Sequence, residues 1–287
     1  GQRGDIHSRL TDTSEGGMEI RCGFEIAYEC VAPCPMLMLL SVRPELEPDL
    51  VTPDILTSDP ALPIHQYIDG FGNRVSRLVA PPGVITFRSD FVIRNCGLRD
   101  PVVPDAIQHP VEDLPEDTLV YLMGSRYCET DRMVEEAWRL FGDTEPGWAR
   151  VQAIVDYAHK RIKFDYMAAR ATRTAFEGHE EGVGVCRDYA HLAITLCRCM
   201  NIPARYCTGY LGDIHEPPTT ALGDFSAWME VWLGGAWRTF DARHNRPRVG
   251  RVLMAIGRDA TDVAIGALFG YARLETFTVI TEEVVRA

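Results

Sequence analysis

With 287 residues, of which 46% are hydrophobic and 24% charged, the chain has the composition of a folded globular protein and room for one large domain or two ordinary ones. Its 41 acidic against 29 basic residues leave a net charge of −12, which argues against a nucleic-acid surface, because phosphate binding draws on clustered Lys and Arg. The longest apolar run, Pro35 to Val42, falls well short of the roughly 18 to 20 residues that span a bilayer, so no membrane partner is expected either.

Residues 1–17 are polar, lack the apolar middle of a secretory signal and read as a flexible tail. From Met18 to Cys30 the chain alternates, with Ile20, Cys22, Phe24, Ile26 and Tyr28 on one side and Glu19, Arg21, Glu25 and Glu29 on the other; that is a half-buried strand. A second apolar run follows the turn at Pro33 to Pro35, and Asp69 to Asn73 reads as a hairpin tip. Ile85, Phe87, Phe91 and Ile93 continue the period of two, so residues 18 to 97 predict an antiparallel, sandwich-like β domain. Between Gly97 and Pro115 prolines and acids recur without period, which marks a connecting segment.

Beyond it the period becomes helical. Met133, Ala137, Trp138 and Phe141 share a stripe that Gly142 stops, and a second helix is expected from Thr144 with Pro146 in its first turn. A third carries Cys186, Tyr189, Ala193, Leu196 and Met200 on one face and ends at Asn201 and Pro203. Gly182-Val183-Gly184 upstream supplies a loop whose backbone N–H groups can approach a ligand. Strands follow over 202–210, 225–233 and 236–241, the last two joined by Gly234-Gly235 as a two-residue turn.

Nine cysteines form neither a dense disulfide framework nor zinc-ligand pairs, which points to a reduced cytoplasmic protein with no cofactor and no metal. Cys30, Cys34, Cys197 and Cys199 read as packing residues. Cys186 differs, because the N–H groups and positive end of a helix N-terminus stabilise a thiolate there.

The segments Gly184-Val185-Cys186-Arg187-Asp188-Tyr189-Ala190-His191-Leu192, Ile202 to Tyr206, Gly209-Tyr210, Ala227-Trp228-Met229-Glu230-Val231, Trp237 and Phe240-Asp241 together resemble the catalytic core of bacterial transglutaminase-like proteins. The resemblance covers roughly residues 145 to 260, and residues 18–97 look like the β domain that commonly precedes such a core. It implies an α+β fold with a papain-like, transglutaminase-like core, divided as a tail (1–17), an N-terminal antiparallel β domain with linker (18–110) and the core (111–287). It also implies that the cysteine at the position of Cys186 attacks an acyl carbon and that the aspartate at the position of Asp241 orients a histidine.

The family histidine precedes the Ala-Trp pair, and that position is Ser226. A hydroxyl cannot hold a thiol proton near neutral pH as imidazole does. If Gly234-Gly235 is the turn, Trp228 pairs with Asp241 and Ser226 becomes a diagonal neighbour of that carboxylate. His244, in Asp241-Ala242-Arg243-His244-Asn245, can replace the base if a turn at Asn245 to Pro247 re-aims it. Family members combine Ser-Ala-Trp with this Asp-x-Arg-His-Asn stretch, so the resemblance too implies a relocated base. His191 lies about 140° round the helix from Cys186 and, with Asp188 and Trp228, is expected behind the site; His215 sits in a loop that could swing over it.

Three readings follow. The first is thiol acyl transfer on a peptide, protein or amide substrate, hydrolysis in preference to transfer to an amine. The second is a peptide-binding module that kept the cleft and lost the base. The third is a metal site with Cys186 and His244 as ligands. A homodimer is compatible with all three.

Overall fold

A computed structural model describes residues 17–217, 219 and 223–285; apart from Gly17, the expected tail lies outside the described residues. In chain order the strands are β1 (Met18–Cys30), β2 (Cys34–Met38), β3 (Thr57–Asp59), β4 (His65–Ile68), β5 (Arg74–Ala80), β6 (Gly83–Asn95), β7 (Lys163–Phe164), β8 (Val183–Gly184), β9 (Ala204–Tyr210), β10 (Ser226–Leu233), β11 (Ala236–Phe240), β12 (Val252–Gly257), β13 (Ala267–Leu268) and β14 (Ala272–Glu283). The α-helices are α1 (Thr130–Phe141), α2 (Trp148–Arg161), α3 (Ala175–Glu181) and α4 (Cys186–Cys199).

The alternation of β1 buries Ile20, Cys22, Phe24, Ile26 and Cys30, as the pattern predicts. The strand lies between β14 and β6 in an antiparallel sheet of order β14-β1-β6-β3, and the second sheet runs β13-β2-β5-β4. Met36, Met38, Phe87 and Phe91 fill the core shared with β1. The far end of the chain returns to the first two sheets. Residues 267–268 and 272–283, within the segment 111–287, pair with β2 and β1. The reason is that β1 is flanked on both sides, and β14 supplies the backbone partners its outer edge requires.

The third sheet, β11-β10-β9-β12, packs against α4. The remaining helices surround α4, so that residues 188–199 are buried all round rather than on one stripe. The second helix starts later than expected, at Trp148, because Gly147 adopts φ 102 and a side chain there would meet the Ala106 carbonyl. The glycine loop ahead of Cys186 also has a different cause from the one expected. Gly182 closes α3 in the left-handed region, and a Cβ on Gly184 would sit 2.5 Å from Asp188 Oδ2. These glycines accommodate the chain's own packing. The two halves share apolar contacts, since Tyr210, Phe225 and Val252 join the β-domain core.

Candidate active site

The Gly234-Gly235 turn fixes the β10–β11 register, with Leu233 opposite Ala236 and Met229 opposite Phe240. Pairing stops there. Along β10, Trp232 donates its N–H to Pro203 beside β9, and alternation therefore directs Ala227, five residues earlier, toward the β11 side. With β11 already ended, Ala227 N–H has no ladder partner there among the described residues, and it and the Arg187 N–H act on the Cys186 sulfur to favour its thiolate.

Those donors do not make a low-pKa thiolate, which corrects the expectation from helix position. Burial dominates and pushes the thiol up to about 11; Asp224 and Asp241 add to the rise, while the Ala227 and Arg187 N–H groups oppose it. Cys186 keeps a partly open surface and is a protonated, desolvated thiol at neutral pH.

Asp241 ends the strand. Its Oδ1 accepts the His244 backbone N–H at 3.0 Å, and its Oδ2 meets His244 Nδ1 at 2.9 Å and Arg251 Nη2 at 3.0 Å. The turn needed to re-aim His244 is present. Asn245 N–H returns to the Asp241 carbonyl at 2.7 Å with Asn245 at φ 51. Asn245 Oδ1 accepts from Gln152, its Nδ2 donates to Asp156, and His159 Nδ1 meets the Ala242 carbonyl at 3.0 Å. Helix α2 therefore clamps the turn from outside. The Asp241 side chain is 2% exposed and that of His244 26%. Burial acts to raise the Asp241 carboxyl, but the His244 hydrogen bond and the Arg251 charge outweigh it and hold the group well below the usual carboxylate range. The tautomer that donates Nδ1–H to that carboxylate is the one that presents a lone pair on Nε2.

Ser226 begins β10 opposite Gly209, and its carbonyl accepts from the Thr208 hydroxyl. Asp188 stands in the first turn of α4, where Oδ2 accepts Val185 N–H at 2.8 Å and faces Arg173 at 3.3 Å; it locks the helix start that carries the sulfur. His191 is fully buried, stacked on Tyr127, and accepts Ala260 N–H on Nε2. Burial drives its pKa down to about 3, so it is a neutral packing residue. Trp228 is buried under the Arg251 guanidinium, 4.9 Å from its ring centroid. His215 turns toward Glu283 of β14, 3.9 Å away. Asp100 and Arg251 were not singled out by sequence reasoning, and Asn245 was expected only as a turn residue. Arg251 joins Asp241 to Asp100 of the connecting segment, whose oxygens lie 2.9 Å from Nε, and no local spacing announces that link.

A thiol at a helix start and an Asp–His couple at the end of the neighbouring strand are the residue types that a papain-like thiol site uses. Residues 138–242 match the Transglutaminase-like superfamily model, and the chain carries a transglutaminase-like core. It is similar to the structure of a candidate cysteine protease from Cytophaga hutchinsonii, with a TM-score of 0.80 and 28% identity over 95% of this chain and 92% of that one. It is also 27% identical to an uncharacterized protein of Mycobacterium leprae over 226 residues, 71% of this chain and 75% of the relative. No helix among the described residues is long and apolar enough to cross a membrane.

Proposed function

We propose that the protein is a thiol-dependent acyl-transfer enzyme that hydrolyses peptide or amide bonds through a thioester on Cys186. The observation that carries this reading is the Asp241–His244 couple, formed through the 241–245 turn although the family histidine position is Ser226. Because the thiol is held protonated, His244 acts as a general base during attack and not as the partner of a standing thiolate. The S–H proton passes to His244 Nε2 as the S–C bond forms, and returns to the amine as the C–N bond breaks. Water then resolves the thioester, again with His244 as base. The N–H groups of Ala227 and Arg187, already directed at the sulfur, are suited to stabilise the oxyanion, a contribution of about 3 kcal/mol per donor. The match of the fold to a candidate cysteine protease supports hydrolysis.

The test uses p-nitrophenyl acetate. An acetyl group on the tryptic peptide 174–187, absent in Cys186→Ala and formed far more slowly in His244→Ala, supports the reading. Added hydroxylamine then divides the product between hydrolysis and amine transfer, the route of a transglutaminase or amide ligase. Failure to acylate Cys186 favours the alternative of a peptide-binding pseudoenzyme, for which Ser226 and the raised thiol pKa already speak.

A further inference from the structure

Arg243 stands between Asp241 and His244 in the chain, and its guanidinium is held by rings instead of carboxylates. Its Cζ lies 3.7 Å from the centroid of Phe164 and 5.9 Å from that of Tyr189. Both rings belong to the elements that carry the thiol. Phe164 pairs with Gly184, two residues before Cys186, and Asp165 N–H donates to the Gly184 carbonyl at 3.0 Å. Tyr189 follows Cys186 by three residues on α4, so their side chains share one face of the helix, about 5 to 6 Å apart at Cβ. The Tyr189 hydroxyl donates to the Ile162 carbonyl at 2.7 Å, just ahead of β7, which ties the two rings into one wall. Arg243 lies against that wall and leads directly into His244.

Half-buried at this place, the guanidinium has no carboxylate and no hydrogen-bond acceptor as partner among the described residues. Asp241 has both oxygens engaged, by His244 and by Arg251. The arginines next along the chain are paired, Arg246 and Arg248 with Glu216, and Arg251 with Asp100 and Asp241. In a chain of 41 acidic and 29 basic residues, a half-buried cation without an acid points to a carboxylate that arrives from outside. Stacking covers the face of a guanidinium and leaves its edge, where the N–H donors lie, to meet a carboxylate through two parallel hydrogen bonds.

We propose that Arg243 determines specificity by receiving a substrate carboxylate next to the bond that Cys186 attacks. That carboxylate belongs to an acidic side chain or to a free chain terminus, which present the same chemistry. As a statement about substrates the proposal rests on the acyl-transfer reading; recognition of an anion at the thiol does not require turnover.

The experiment therefore uses alkylating reagents in place of substrates. Iodoacetyl-alaninamide is neutral, iodoacetyl-alanine carries a terminal carboxylate, and the α-amide of iodoacetyl-aspartate carries a side-chain carboxylate. In each case the Cys186 thiolate displaces iodide and a thioether forms, and rates at pH 9 are read by quantifying peptide 174–187. Taking each acid-to-neutral ratio within one protein cancels the thiolate fraction, and dividing it by the same ratio for 2-mercaptoethanol cancels intrinsic reactivity. A carboxylate received by Arg243 gives a normalised ratio on the order of tenfold in the parent that falls toward unity in Arg243→Gln. Arg243→Lys keeps the charge without the planar fork and should lie between them. The acid with the higher ratio identifies the source of the carboxylate. Loss of the fold would also bring the ratio to unity, so the urea midpoint of each variant is recorded, and the Lys variant must exceed the Gln variant. Ratios near unity for both acids in the parent, no fall in Arg243→Gln, equal ratios in the Lys and Gln variants, or a sulfur that none of the reagents reaches overturns the proposal. Absence of acetylation by p-nitrophenyl acetate would sink the enzymatic reading while leaving these ratios to be judged by themselves.

Discussion

Asp241 binds His244 twice across one turn, taking the backbone N–H on Oδ1 and meeting Nδ1 with Oδ2. The carboxylate thus sets both the path of the chain and the orientation of the ring, and Arg251 keeps it ionised. Asp241→Asn preserves shape but removes the charge that stabilises an imidazolium in the transition state. Turnover on an acyl substrate should fall on the order of 10³-fold with little change in KM. A loss below threefold would remove the couple from the mechanism.

The Cys186 thiol provides a pH signature. A thiol pushed up to about 11 remains protonated through the neutral range, so iodoacetamide modification should be slow at pH 7 and climb between pH 9 and 11. Asp224→Asn removes a charge that raises the thiol and should move the midpoint downward. A plateau already reached at pH 7 would mean a standing thiolate. The same shift bears on folding. The unfolded chain ionises this thiol above about 8.5 while the folded one resists, so stability declines as pH rises through that window.

His191 gives the opposite pH dependence. Its pKa falls to about 3 in the folded state from about 6.5 unfolded, so below pH 6.5 the unfolded chain binds the extra proton. Stability should therefore drop as pH falls from 6.5 toward 3, by up to several kcal/mol. Denaturant titrations at pH 7 and pH 5 should show a smaller pH penalty in His191→Gln, although that variant is less stable at pH 7 through loss of the stack on Tyr127. Equal penalties in both proteins would show that the imidazole is not held neutral.

Much of this architecture was legible in local pattern. The alternation from Ile20 to Cys30 is visible because side-chain period reports a buried face directly, and Gly234-Gly235 set the hairpin register because a two-residue turn leaves one pairing. The pairing of β14 with β1 was not legible. It is made by backbone groups, and β14 shows mostly half-buried and exposed side chains with no clean period. The thiol's raised pKa also escaped, because helix position is written in the sequence whereas the burial that overrides it is a property of the assembled core. Arg251 and Asp100 meet Asp241 only through tertiary packing.

The 241–245 turn can be dissected at Asn245. Its positive φ is strained for a residue with a Cβ, and its side chain holds Gln152 and Asp156. Asn245→Ala loses both hydrogen bonds and worsens the backbone strain, and should destabilise the protein by about 1 to 3 kcal/mol. Asn245→Gly loses the same hydrogen bonds but accepts the left-handed backbone, and should recover about 1 kcal/mol of that loss. Urea titrations of the two variants separate backbone strain from the α2 clamp. If the clamp is what aims His244, turnover should fall in both variants, including the one whose backbone is relaxed. Full activity in Asn245→Gly would mean that Asp241 alone orients the imidazole and that the contacts to Gln152 and Asp156 serve only stability.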